Sequence, residues 1–305
     1  MSSQAAVGLA TEASTPNGGP RQRKSRTDLI GYAFVAPFAV PFLLFTVGAV
    51  LFGAGVAFTD WGIVGDVRWV GLENFRQAVT DAGARQAYQN SLLYVVLVVP
   101  TVTVLGLLAA AFVNRRWPGH TFARMAFYSS NVVSAPVIGL VWVWMLDTQF
   151  GLINQYLGIR IPWLTSPKVS LFGVSLASVW WDMGIAFILF LAGLQEVDAE
   201  LKNAARVDGA NELQVMWHVT LPGLRNTVSL VVILQMISTS RIFSQIHVMT
   251  NGGPAGSSTS VVHYIYTEGL TKFRLGYASA LSMLLFAAVA LFSVVFLRLF
   301  PQEVT

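Results

Sequence analysis

No cysteine occurs in these 305 residues. That excludes a disulfide framework, a thiolate zinc site, an iron–sulfur cluster and a cysteine nucleophile. Charge is scarce too: Asp, Glu, Lys and Arg make up 11% of the chain, against roughly 25% in an ordinary soluble domain. The four histidines, His120, His218, His247 and His263, include no two at metal-ligand spacing. The H-E-x-x-H, G-x-S-x-G and G-x-x-x-x-G-K-[ST] patterns are all missing, so the common metalloprotease, hydrolase and phosphate-loop chemistries have no foothold. What is abundant is apolar: 54% of the residues are hydrophobic, more than a soluble protein of this size could hide. Lipid is the natural solvent for such a chain, and a pathway is the natural task.

Six apolar stretches pass the length test of about 20 residues per span. They cover about Leu29–Phe58, Ser91–Val113, Met125–Leu146, Leu171–Leu194, Thr227–Val248 and Ala278–Phe300. Pro37 and Pro41 predict a kink in the first. That stretch is too long for a signal peptide and no small-residue cleavage site closes it. Before it, Met1 to about Gly19 is rich in Ala, Ser, Thr and Gly and reads as a disordered tail. The chain thus divides into a basic tail over 1–27, a first helix with its outer loop over 28–84, and a five-helix core over 85–305 containing a long loop at 195–223.

The net charge of +4 reports topology and not a nucleic-acid partner, because the basic residues sit in short loops. With the N-terminus inside, Arg21, Arg23, Lys24, Arg26, Arg115, Arg116, Arg124, Lys202, Arg206, Arg225 and Arg298 face the cytoplasm. The smaller set Arg68, Arg76, Arg85, Arg160, Lys168, Lys272 and Arg274 lies outside, in longer loops. Both termini are therefore expected in the cytoplasm, in a multi-pass protein of a cell membrane.

The loop at 195–223 differs from the short connectors. Ala and Leu among charges favour helix up to Val207, and Asp208-Gly209 is a turn signal. A second short helix follows, with Leu213, Met216 and Trp217 at i, i+3 and i+4. Pro222 cannot continue it. Two readings of that apolar stripe stay open: a docking surface on the water side, or packing against the protein's own helix ends.

Asn203-Ala204-Ala205, three residues, Gly209, nine residues, Val219, one residue, Leu221-Pro222 resembles the EAA loop of binding-protein-dependent ABC importers. Every spacing agrees; Asn203 stands where Glu is usual and Val219 where Ile is usual. Val70-Gly71-Leu72-Glu73-Asn74-Phe75, Met249-Thr250-Asn251-Gly252-Gly253-Pro254 and Gly276-Tyr277-Ala278-Ser279-Ala280 are similar to segments of the sugar-type permeases, relatives of the maltose transporter's membrane subunits. The resemblance covers nearly everything from about Leu29 onward.

It implies an all-α integral membrane fold of the type I ABC importer permeases, with six transmembrane helices, the first wrapping outside, and a cytoplasmic two-helix coupling loop. It implies that Asn203, Ala204, Ala205, Asp208, Gly209, Ala210, Leu213, Met216, Leu221 and Pro222 couple the chain to an ATPase. Its partners would be a second homologous permease, two ATP-binding subunits carrying ATP and Mg, and an extracytoplasmic solute-binding protein that meets Asn251, Gly252, Gly253 and Pro254. This chain itself would hold no cofactor, and the cargo would be a sugar-like solute entering a bacterial or archaeal cell.

For the path itself, polar and aromatic groups inside helices are the candidates: Asn131, Ser134, Trp180, Trp181, Asp182, Gln235, Ser238 and Arg241. Rings beside hydrogen-bonding groups suit a sugar, whose C–H faces stack while its hydroxyls need partners. Helix contacts and interfacial Trp explain the same residues, and both explanations stand. The rival function is proton-coupled solute transport through Asp182 and Arg241, since transporters use intramembrane ionisable groups as relays.

Overall fold

A computed structural model describes residues 27–62, 66–115 and 118–299. The N-terminal tail, its cluster Arg21, Arg23, Lys24 and Arg26, and Arg116 lie outside them. Two units divide at Phe52 and Gly53.

The first unit is built on α1 (Thr27–Phe42), which holds both Pro37 and Pro41. A π turn over Leu43–Val47 links it to α2 (Gly48–Val56). Phe34–Val56 is long and apolar enough to cross a membrane, and its residues are apolar on all sides, as suits a helix in lipid.

In the second unit a short ladder, β1 (Thr59–Asp60) with β2 (Arg68–Trp69), leads to α3 (Glu73–Thr80). Then α4 (Ala82–Asn114) begins at an Asp81 N-cap and runs 33 residues, nine residues earlier than its apolar stretch suggests. The capped polar turns Ala82–Asn90 extend the helix beyond the lipid-soluble part. After it come α5 (His120–Val132), α6 (Ala135–Met145), α7 (Leu152–Leu157) and α8 (Ser170–Glu196). The loop beyond is α9 (Ala199–Val207), α10 (Glu212–Val215), a π turn over Met216–Thr220 and α11 (Leu221–Gly223). The chain returns through α12 (Arg225–Ser240) and α13 (Ser244–Met249), then α14 (Val261–Tyr266), a π turn over Thr267–Thr271, and α15 (Leu275–Leu299).

Four helices among the described residues can cross a membrane, or up to six if each bent pair is one span. The bent pairs are α5 with α6, and Glu212–Gly223 with α12 at 67°; the fifth apolar stretch carries a separate break of its own. The third and fifth stretches are thus not the smooth spans expected. Helix α5 meets α6 at 103°. Pro136 has no N–H for the carbonyl of Val132 and its ring would clash with it, so the helix stops and restarts with Pro in its first turn. The fifth stretch breaks over Arg241–Phe243, where no proline intervenes. There Ser238, Thr239 and Ser240 compete with helix bonding, and Ser260 Oγ donates to the Ile242 carbonyl at 2.7 Å. Arg241, expected within the helix, is its C-cap.

Helices α4 and α8 form the spine. Their crossing is close because Gly106 sits against Ala186 and the Phe187 backbone, where an added Cβ would come within 2.8 Å of Ala186. Gly193 does the same for α8 against Thr227 of α12, as small residues do where membrane helices meet. Tyr94, Val98, Val102, Val174, Phe187 and Phe190 fill the core between them. The starts of α4, α8 and α15 gather at one pole, with Asp81, Ser170 and Tyr277; α9–α11 cap the other.

Candidate functional site

A cavity of about 370 Å³ opens where both helix breaks face α8. Its walls include Tyr94 of α4, Ala135 at the first break, Trp181 and Asp182 of α8, Ser238 and Thr239 of α12, and Arg241 to Gln245 at the second break. The breaks are held open by side chains. Trp181 Nε1 donates to the Val133 carbonyl at 2.9 Å, which satisfies an acceptor the interrupted helix leaves free. Gln235 Nε2 donates to the Asp182 carbonyl at 3.4 Å, tying α12 to the middle of α8. Among the described residues neither the Asp182 carboxyl nor the Arg241 guanidinium has an ion-pair partner. The cavity thus offers a carboxyl, a guanidinium, hydroxyls and rings, the two charged groups not paired with one another.

Towards the Asp81 pole a second cavity of about 480 Å³ lies under the loop Asn251–Gly256, bounded by His247, His263, Tyr264 and Tyr266. Phe243 stacks on His247 with centroids 5.1 Å apart and packs on Tyr266 at 5.0 Å, so one residue of the first cavity also abuts the second. Burial and the neighbouring His247 hold His263 below the usual imidazole pKa. The loop is firmly tied. Asn90 Nδ2 donates to the carbonyls of Gly256 (2.8 Å) and Thr259 (3.0 Å), Ser258 Oγ to that of Gly253 (2.7 Å), and Ser170 and Ser257 share a 2.7 Å bond. Beneath it, Tyr264 and Tyr277 both donate to Asp81 Oδ2, at 2.6 and 2.7 Å.

At the opposite pole the two-helix loop forms as expected. Asp198 caps α9 by accepting from Glu200 N–H at 2.8 Å. Lys202 Nζ donates to the carbonyls of Leu194 and Val197, closing the end of α8. Gly209 takes φ +87°, a left-handed conformation that glycine adopts without strain. Asn211 and Gln214 then form a reciprocal capping box. Arg206 bridges the turn, 3.0 Å from Glu212 and 3.0 Å from Asn203 Oδ1. Val215 and Thr220 are buried while Leu213 and Trp217 stay exposed, 72% and 63%. The outer part of the stripe therefore does not pack on the chain's own helix ends. Met216 is half-buried, because the π turn before Pro222 rotates the face.

The family described as "Binding-protein-dependent transport system inner membrane component" matches residues 102–303. The chain belongs to that family. It is 31% identical to the Probable ABC transporter permease protein YesP of Bacillus subtilis over 93% of this chain and 96% of that one. It is also 31% identical to the Multiple sugar-binding transport system permease protein MsmF of Streptococcus mutans, over 81% and 87%. Among solved structures it is similar to a bacterial alginate ABC transporter in complex with an alginate pentasaccharide-bound periplasmic protein. There the TM-score is 0.78 at 21% identity over 89% of this chain and 94% of that one, a likeness of fold.

In this permease the residues singled out from sequence for the path separate into two groups. Trp181, Asp182, Ser238 and Arg241 line the first cavity. Asn131 instead donates to the Trp181 carbonyl at 3.5 Å, Ser134 is the N-cap of α6, and Gln235 is buried between helices. Trp180 is half-exposed beside Trp142. Tyr94, Thr239, Phe243, Ser244 and Gln245 belong to the cavity and were missed. Tyr94 looks like one more apolar residue of a long span, and Phe243 reaches the cavity only because the helix breaks there.

Proposed function

We propose that this permease passes a sugar or sugar-like solute into the cell as half of a membrane pathway powered by partner ATPases. In this reading six spans cross the membrane, α5 with α6 forming one and α12 with α13 another, with both termini and the Gly209 turn in the cytoplasm of a bacterial or archaeal cell. The surface of α9–α11, from Asn203 through Ala204, Ala205, Asp208, Gly209 and Ala210 to Leu213, Met216, Leu221 and Pro222, meets an ATP-binding subunit that carries ATP and Mg. The chain contributes no nucleotide site of its own. A second homologous permease completes the path and a solute-binding protein delivers cargo to the pole of Asn251, Gly252, Gly253 and Pro254.

The observation that carries the reading is the Gly209 turn. It is capped at both ends like a rigid element, yet it presents Leu213 and Trp217 to water, and a rigid short element transmits rigid-body motion. The cargo class follows from the first cavity, where Tyr94, Trp181 and Phe243 stand beside Asp182, Ser238 and Arg241, rings for C–H faces and polar groups for hydroxyls. Relatives include the Multiple sugar-binding transport system permease named above.

Mild-detergent capture of the tagged chain from its native membrane, with mass spectrometry, tests the assembly. A second permease, an ATPase and a binding protein are expected, and the binding protein can then be screened against sugars. A chain that runs alone would overturn it. The alternative of proton-coupled carriage rests on Asp182 and Arg241 sharing the first cavity without an ion-pair partner among the described residues. Uptake that survives ATP depletion and collapses with a protonophore would select it.

A further inference from the structure

Helix α7 and the segment after it are fixed in depth by buried contacts. Asn154, 3% exposed, donates to the Ile161 carbonyl at 2.9 Å and accepts from Trp163 Nε1 at 2.8 Å. Trp163 in turn packs its backbone against Gly173, where an added Cβ would lie 2.8 Å from its carbonyl oxygen. So α7 is pinned beside the first turn of α8. That 27-residue helix is about 40 Å long at 1.5 Å per residue, which exceeds the hydrocarbon thickness of about 30 Å. In the topology proposed above, and centred on the hydrocarbon layer, it reaches about 5 Å past each face, so its first turn, and α7 with it, stands at headgroup level at the pole opposite the Gly209 turn.

With Asn154 facing inward, the other side of α7 faces out. Leu152 is 62% exposed and Tyr156 91%, with Leu157 beside them. No acidic residue occurs from Thr148 to Lys168. The preceding Asp147 is engaged by the N–H groups of Gln149 and Phe150. Arg160 and Lys168 are exposed and have no ion-pair partner among the described residues. Apolar and tyrosyl side chains at headgroup depth, flanked by free cations, are the pattern of a segment lying on anionic lipid.

We propose that the outward face of α7, Leu152, Tyr156 and Leu157 with Arg160 and Lys168, is a lipid-binding foot that rests in the headgroup layer and prefers anionic lipid. It anchors the start of α8, and so the frame against which the two broken helices move.

Because this chain has no cysteine, label attached to the purified chain before the complex is assembled sits only at the introduced position. Leu152→Cys and Tyr156→Cys, each in the otherwise native chain, are spin-labelled, assembled into the whole complex and reconstituted in vesicles with and without phosphatidylglycerol. Collision rates with oxygen and with a water-soluble nickel chelate are compared. Oxygen collisions severalfold above chelate collisions are expected at both positions, rising with phosphatidylglycerol. In an Arg160→Gln, Lys168→Gln background the dependence on phosphatidylglycerol should disappear. Chelate collisions dominating at both positions would place the face in water and overturn the proposal. So would exclusion of both reagents, whether constant or appearing on addition of the binding protein, because a protein partner would then cover the face.

Discussion

Two glycine turns stand at opposite ends of the Gly53–Thr305 unit, and they are held in contrary ways. Around Gly209 the ties are local: an Asp198 cap, a capping box at Asn211, and the exposed Arg206–Glu212 pair. The turn from Asn251 to Gly256 is bound through Asn90 and Ser170 to helices far off in sequence, and the hydroxyls of Ser258 and Thr259 tie it to itself. One leaves Leu213 and Trp217 uncovered by the chain; the other covers a cavity and buries Ser258. The first turn leaves its surface open, whereas the second is satisfied from within the fold.

The largest effect expected from this contrast lies at Gly209. An added Cβ meets nothing within 4 Å there, so Gly209→Glu does not clash. It costs roughly 1–2 kcal/mol of left-handed strain and places charge on the surface proposed to meet the ATPase. Uptake in reconstituted vesicles should fall tenfold or more while insertion is unchanged; normal coupled uptake would remove the turn from the coupling role. Next, Trp217→Ala should weaken capture of the ATPase by about 2 kcal/mol, the scale of an interface anchor. The melting temperature of the isolated permease should not move, since the side chain packs on little of its own chain. Equal loss of both would make the face structural.

At the other turn the order of effects should reverse. Asn90→Leu removes two hydrogen bonds to part-buried loop carbonyls, each worth roughly 0.5–1.5 kcal/mol. Thermal stability in detergent should drop while ATPase capture persists. The smallest effect concerns Asp81. Burial works against its charge, but the hydroxyls of Tyr264 and Tyr277 and the N–H groups of Gly83 and Ala84 outweigh it and hold the carboxyl below its usual 3.8. A depressed carboxylate contributes stability that is whole above its unfolded value and lost as pH falls through the folded one. Melting measured below about pH 4 should therefore decline less in Asp81→Asn than in the native chain, by a difference of about 1 kcal/mol or less.

Much of the frame was legible in the residues. The apolar stretches named the spans because lipid demands length and hydrophobicity, which are local and additive. The Gly209 turn was legible because Asp-Gly punctuation and a proline stop are short-range devices. The cavity was half legible: Trp181, Asp182, Ser238 and Arg241 stood out as polar or aromatic groups in apolar surroundings. Asn131 and Gln235 looked the same and proved to tie helices together. A polar residue in a span announces that it needs a partner, and not whether that partner is a helix or a solute.

The sequence by itself determined the solvent, the number of apolar stretches, the family and the rigid turn beyond α8. Only tertiary structure decided where the third and fifth stretches break, which way Leu213 and Trp217 face, and which polar groups share a cavity. The breaks persist because groups distant along the chain satisfy the backbone they free, Trp181 for Val133 and Ser260 for Ile242. Periodicity sees a few residues to either side, and a hydrogen bond arriving from another helix lies beyond its reach.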